Sequence, residues 1–406
     1  MCVKNEDYYL QHYISLLKQE KILRRLSLIQ LISYFGAWFS NVAIYTLLIQ
    51  LNVSAFIIAS IASFHFLPGV LQAPISGVII DKIKPKKLML FLIFLQAVST
   101  LGLLFVTSNE LLWLLFTLVF IRMGASSFYF TIEMSLLPKI LSGKSLQYAN
   151  EIHSIIWSSS YTLGMAISGF LVYKLGVQIA FIVDALLFVL AFILLFMLKM
   201  DINFEKVKDT FFDTLKDGVI YLKTNKKVMH LILIHASVGF TVFDAIVSLM
   251  AKYYYASILA IPLAIGLMHA TRALALVIGP ILLGKWIKSS SLVYIFLLQG
   301  ISIMIWAMFI QNLYLSLFGS FLVGFFTTTL WSYTYTLLQT HTDKKFYGRV
   351  IAYNDMTFLF TAAFSSFVVG ILIESGLSIS FVLVILGLAF FLAAFYYTWI
   401  KKVYDV

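Results

Sequence analysis

Apolar runs of about 20 residues recur along the whole chain, each long enough to cross a ~30 Å hydrocarbon layer as a helix. Inside a bilayer every backbone N–H and C=O must find its partner within the protein, so such runs fold as α-helices. Twelve can be read: 26–51, 55–80, 88–106, 111–137, 148–173 and 177–198, then 228–251, 258–283, 292–310, 313–338, 350–373 and 379–400. The fold class is therefore an all-α membrane protein. Only 12% of the residues are charged, against roughly a quarter in a soluble protein.

The lysines and arginines test this reading. Lys18, Lys21, Arg24, Arg25, Lys82, Lys84, Lys86, Lys87, Lys139, Lys144, Lys216, Lys223, Lys285, Lys288, Arg349, Lys401 and Lys402 all fall on one side of the twelve spans. The opposite loops carry only Lys174 and Lys252. Positive charge marks the cytoplasmic side, so both termini are expected there, in a multi-pass cytoplasmic (inner) membrane protein. The net charge of +11 then reads as loops facing an anionic leaflet, with the lipid bilayer and not nucleic acid as partner. A single cysteine, Cys2, excludes an intrachain disulfide framework, and the charged, mixed first 25 residues are not expected to be a cleavable signal peptide.

The domain organisation follows: a cytoplasmic N-terminal segment 1–25, a six-helix bundle 26–199, a linker 200–227, a second six-helix bundle 228–400 and a tail 401–406. Phe211, Phe212, Leu215, Val219 and Leu222 recur at helical spacing in the linker, as in an amphipathic surface helix. The halves repeat weakly at an offset near two hundred residues. Gly36 to Asn41 matches Gly239 to Asp244; Gly169 with Gly176 and Phe181 matches Gly370 with Gly376 and Phe381; Asn150-Glu151 matches Asn354-Asp355.

Between the second and third spans lies Gly77-Val78-Ile79-Ile80-Asp81-Lys82-Ile83-Lys84-Pro85-Lys86-Lys87. Together with the topology and the repeat, it resembles the signature loop of the major facilitator superfamily of transporters. Phe35-Gly36-Ala37-Trp38, Phe120 to Gly124, Phe181 to Leu186 and Tyr347-Gly348-Arg349-Val350 narrow the resemblance to the branch of macrolide-efflux pumps and the enterobactin exporter. The resemblance implies twelve transmembrane helices in two pseudo-symmetric six-helix bundles. It also implies a gating loop, with Gly77, Asp81, Lys82, Lys86 and Lys87 clasping the cytoplasmic end of the eleventh span in one of two alternating states. The chain departs from the pattern at Ala37, where that branch often has an acid, at Met165, where the fifth-span antiporter motif often has proline, and at Pro85, which replaces a basic residue.

Charges inside spans are costly and usually face a bundle interior or an aqueous cavity. On the fourth span Arg122, Ser126, Tyr129 and Glu133 share one face, with Arg122 and Glu133 roughly 16 Å apart along the axis. On the seventh span Asp244 occupies the position of Asn41 in the first. By resemblance, the first, fourth, seventh and tenth spans line a central cavity, so Asp244, Arg122 and Glu133 are the proton-coupling candidates, with Arg122 a possible partner of Asp244. The alternative for each is a static brace. Candidate cavity walls are Tyr34, Trp38, Asn41 and Tyr45; His65 and Gln72; Ser126 and Tyr129; His153, Trp157 and Tyr161; Arg272, one turn from His269; and Trp331 and Tyr335. Aromatic, sparsely charged walls favour lipophilic or amphipathic cargo over sugars or inorganic ions. Asp184 reads as a hydrogen-bonding scaffold acid.

No nucleotide-binding loop, metal-ligand set or hydrolase motif is present, so neither an enzyme nor a metal or cofactor is expected. The reading is a secondary active transporter, in monomeric form, exporting an amphipathic organic molecule against protons by alternating access. Two alternatives stand beside it. One is an uncoupled or differently coupled siderophore, lipid or nutrient transporter; the other is a non-transporting receptor or assembly factor on the same scaffold.

Overall fold

The computed structural model describes residues 3–200, 211–283, 287–343 and 346–405, and every element among them is helical. Eleven helices are long and apolar enough to cross a membrane, and the longest, Gly143–Met197, comprises two spans. At 55 residues it would reach about 80 Å if straight, far beyond one crossing. Gly176, at φ 85 and ψ 171, breaks it into 143–175 and 177–197, which brings the total to twelve. Gly376, at φ 99, makes the matching turn between the eleventh and twelfth spans. Both positions need the left-handed freedom of glycine, and their offset of 200 residues carries the repeat seen in the sequence.

The spans are, in order, Lys21–Gln50, Ala55–Lys82, Pro85–Gly102, Leu112–Ile140, 143–175 and 177–197, then Lys226–Tyr255, Ile261–Leu283, Leu292–Met308, Leu313–His341, Tyr347–Glu374 and Ile379–Tyr404. Local chemistry sets several of their starts. Ser54, Asn312 and Ser378 each accept a hydrogen bond from the backbone N–H three residues on, capping the second, tenth and twelfth spans. Pro85 opens the third, where its missing N–H has no cost. An N-terminal helix, Val3–Gln19, precedes them, and Tyr13 of it donates to Glu151 of the fifth span at 2.8 Å.

The seventh span departs from its expected form. It runs as a helix over Lys226–Ala236, tightens into a 3₁₀ turn at Ser237–Thr241, and resumes at Phe243–Met250 before widening into a π-turn at Ala251–Tyr255. Val242 at the break is left-handed, with φ 40, a conformation that a β-branched residue adopts only under constraint. The break places Asp244 in the first turn of a new helix.

The two bundles meet along two seams, second span against eleventh and fifth against eighth. Glycines let the backbones touch. A Cβ on Gly169 would lie 2.6 Å from the Pro262 carbonyl oxygen, and one on Gly266 would lie 3.0 Å from the Gly169 Cα. The linker helix Phe211–Thr224 lies against the eleventh span, where Tyr221 stacks on Phe346 at 4.3 Å and Arg349 reaches Asp217 at 3.4 Å. Residues 201–210 of the linker lie outside the described residues.

Inside the first bundle a buried ion pair ties four spans together. Arg122 of the fourth donates to Asp184 of the sixth at 2.9 Å, to the carbonyls of Gly36 and Ala37 in the first at 3.2 and 2.8 Å, and to Thr100 of the third at 3.1 Å. Ser40 donates to the same Asp184 carboxylate. Neither charge is exposed, so each depends on the other. Removing one partner of such a pair costs about 3–5 kcal/mol because the other charge is stranded. Asp184→Asn is therefore expected to lower the thermal unfolding temperature of the purified protein more than Arg122→Leu combined with Asp184→Leu does. Equal melting of the single and double variants would remove the brace.

Candidate functional site

The break in the seventh span delivers Asp244 to the middle of the membrane, against the eighth span. Its Oδ1 lies 3.7 Å from Nδ1 of His269, and it is within electrostatic reach of Arg272 one turn further along. Arg272 turns toward the other bundle. Its Nη1 donates to the Tyr161 hydroxyl at 2.8 Å, which leaves that hydroxyl able to donate to His269 Nδ1 at 3.1 Å. The guanidinium also stands 4.4 Å from the centre of the Phe243 ring, a cation–π distance. Asp244, His269 and Arg272 belong to the second bundle and Tyr161 to the first. The cluster therefore places titratable side chains across the contact between the bundles.

Around Tyr161 the aromatic residues expected from the sequence do assemble. Trp38 meets it edge-on at 4.7 Å, and Trp157 lies parallel to it at 5.8 Å. Tyr45 is within electrostatic reach of Asp244 and sets its ring against His65 at 5.9 Å. The Tyr45 hydroxyl, both nitrogens of His65 and both side-chain polar atoms of Asn41 are buried with no protein partner. Buried polar groups in native proteins are nearly always satisfied, so this layer is suited to water or a polar ligand atom.

Sequence spacing put Arg122 beside Asp244, and the structure pairs it with Asp184 instead. The physical reason is direction: Arg122 points into the interior of its own bundle, where Asp184 and two carbonyls engage it. Glu133, on the same helix face, is held separately. Tyr34 donates to its Oε2 at 2.9 Å, while Oε1 has no partner. A cavity of about 20 Å³, room for one water, is lined by Glu133, His153, Gln30 and Ser27 among others. Gln30, which the sequence did not single out, meets His153 Nδ1 at 2.5 Å.

The remaining candidates scatter. Gln72 packs beneath Gly124, where a Cβ would lie 2.5 Å from its Nε2. Ser126 and Tyr129 stay on the fourth span, half-buried and buried respectively. Trp331 and Tyr335 stack at 5.2 Å on the tenth span, with His235 against both rings. Of the gating loop, Lys86 donates to the Phe196 carbonyl at 2.8 Å, at the end of the sixth span, and Lys87 is exposed. The surroundings of Gly77 and the side chains of Asp81 and Lys82 lie outside the described residues.

A further pair of residues escaped the sequence reading. At the lysine-poor face Lys252 donates to the Val53 carbonyl at 2.6 Å, and Glu374 accepts from the Phe56 N–H at 3.3 Å. Each charged side chain belongs to the second bundle and each backbone partner to the first. Phe56 meets Phe367 at 5.0 Å just below, and Ser63 donates to the Ala363 carbonyl at 2.7 Å. With the Gly169–Gly266 contact, these interactions clasp the bundles together at that face. The sequence signal was faint: Lys252 is one of only two lysines there, and Glu374 ends the eleventh span.

Two bundles of six helices, with ionisable side chains buried at their seam, are the architecture of a membrane transporter. The chain belongs to the Major Facilitator Superfamily, whose family model matches residues 26–289. Uncharacterized MFS-type transporter YfiS of Bacillus subtilis (strain 168) is 27% identical over 214 residues, covering 51% of each chain. YkuC of the same organism is 26% identical over 190 residues, 44% of this chain and 43% of that one. The chain thus spans about half the length of the curated relatives it matches. Among solved structures, the nucleoside transporter NupG superposes with a TM-score of 0.75 at 12% identity, over 94% of this chain and 99% of that one. A bacterial homologue of the iron transporter ferroportin gives 0.72 at 16%, over 94% and 99%. At these identities the likeness is one of fold.

The clasp makes a direct prediction. With Cys2 replaced, a cysteine in place of Ser63 is buried beneath it and should resist a membrane-impermeant maleimide. Lys252→Met with Glu374→Gln should raise its labelling rate several-fold; an unchanged rate would show that these contacts do not hold the face shut.

Proposed function

We propose that the chain is a proton-coupled exporter of an amphipathic organic molecule in the cytoplasmic membrane, with its lysine-rich face and both termini in the cytoplasm. The observation that carries this reading is the Asp244–His269–Arg272–Tyr161 cluster. Among the described residues it is the cluster of ionisable side chains that crosses from one bundle to the other in mid-membrane. In the clasped arrangement Asp244 Oδ1 lacks a hydrogen-bond donor, and an ionised carboxylate so placed is costlier than a neutral one. A proton on Asp244 therefore favours the clasped, cytoplasm-facing state. Its loss to the cytoplasm frees the bundles to rock, so that cargo moves outward as protons move in. The aromatic group of Trp38, Trp157 and Tyr161 supplies an apolar wall beside that switch, and the resemblance to the efflux branch supports the outward direction. Arg122, committed to its brace, has no part in coupling on this reading.

In proteoliposomes with an imposed pH gradient, the wild-type protein is expected to move a lipophilic dye only while the gradient lasts. Asp244→Asn, which keeps the neutral, clasped arrangement, should lower the gradient-driven flux at least tenfold. Gradient-driven flux that survives the substitution would contradict the assignment.

A further inference from the structure

Among the described residues five carboxylates lie about two turns or more inside the spans; Glu151 of the fifth accepts from Tyr13 of the N-terminal helix, and the other four differ in one respect. Asp184 has Arg122, and Asp244 has Arg272. Glu133 and Asp355 have no cationic partner among the described residues. Glu133 is seven residues from the end of the fourth span at Ile140, and Asp355 is eight from the start of the eleventh at Tyr347. At 1.5 Å per residue both sit roughly 10–12 Å in from the lysine-rich face, one in each bundle. Two acids without counter-charges thus occupy the same depth.

Asp355 stands among aromatic side chains of the tenth and eleventh spans. It is half-buried, and its Oδ1 accepts from the side chain of Asn354 at 3.2 Å. Tyr335 and Tyr347 lie within its electrostatic reach. Tyr335 carries the stacked ring of Trp331, which is 40% exposed. Behind the stack stands His235, fixed by Thr334 at 2.9 Å and touching Phe358 of the eleventh span at 5.6 Å. Arg349, the cation of the same helix, is engaged by Asp217 of the linker and does not neutralise Asp355.

We propose that the transported molecule is an organic cation, and that Asp355 with the Trp331–Tyr335 stack forms the subsite that receives it from the lysine-rich side. A carboxylate beside exposed aromatic faces attracts a positive group twice, by its own charge and by the ring quadrupoles, and tryptophan is the strongest of the rings. The same carboxylate repels an anion of equal size. A neutral molecule gains from the rings alone, so charge becomes the basis of selection. Glu133, at equal depth in the other bundle, adds to the negative character of the layer.

This inference rests on the transporter reading but is tested without a gradient. Equilibrium dialysis of the detergent-purified full chain against tetraphenylphosphonium, with tetraphenylborate as the anion of matching size, reads the subsite directly. Saturable binding of the cation, no competition by the anion, a loss of about tenfold or more in Asp355→Asn and recovery in Asp355→Glu are expected. Trp331→Ala should weaken binding while leaving the melting temperature close to wild type. Equal binding of cation and anion, no saturable cation binding, or an Asp355→Asn variant with wild-type affinity would each overturn the inference. Cation binding that depends on Asp355 alongside gradient-independent flux would sink the proton coupling alone. Gradient-driven flux with binding indifferent to Asp355 would sink the cation subsite alone.

Discussion

A charge inside a bilayer has to bring its partner with it, and the architecture of this protein turns on where that rule is most nearly met and where it is met in part. Arg122 and Asp184 meet it most nearly, through Oδ2 of the carboxylate, while its Oδ1 has no partner. Two opposite charges, two backbone carbonyls and two hydroxyls close a network with no exposure, tying four helices of one bundle into a rigid body. Asp244 meets it in part. Its neighbour His269 stands at 3.7 Å, and its cation, Arg272, is shared with a tyrosine of the opposite bundle. A dedicated pair holds shape, whereas a shared one is sensitive to any event that changes the charge at either end.

Rigid bundles move as units only if their seams can part without unfolding. Glycine against glycine at 169 and 266, and Gly370 against Ala59 and Phe56, bring backbones together with few interlocking side chains. The polar contacts at the lysine-poor face run from side chain to backbone, Lys252 to Val53 and Glu374 to Phe56, near enough to the surface for water to replace them. The left-handed Val242 and the π-turn at Ala251–Tyr255 concentrate the irregular backbone of the seventh span around Asp244. Discontinuous helices of this kind mark substrate and ion sites in transporters.

The fold was legible because membrane burial writes itself into composition. The twelve spans, the turn glycines Gly176 and Gly376 and the aromatic group Trp38, Trp157 and Tyr161 follow from hydropathy, repeat and helical spacing. The partners of the charges were not legible. Arg122 and Asp184 are 62 residues apart and Tyr161 and Arg272 are 111 apart, and helical periodicity fixes a side chain's face but not the helix it meets. The break before Asp244 was hidden because Ser237 to Val242 is as apolar as a helix would be. The clasp was hidden because its acceptors are backbone atoms, which leave no mark in a sequence.

The central claim is that the proton load on Asp244 sets the balance between clasped and open bundles. Spin labels at Asn109 and Gln311, exposed residues in lysine-poor loops of the two bundles, report that balance as a distance distribution by pulsed dipolar spectroscopy. In the wild-type protein, moving from acidic to alkaline buffer should transfer population from the short to the long distance, while Asp244→Asn should stay short in both. Identical responses of the two proteins to the change of buffer would contradict the account.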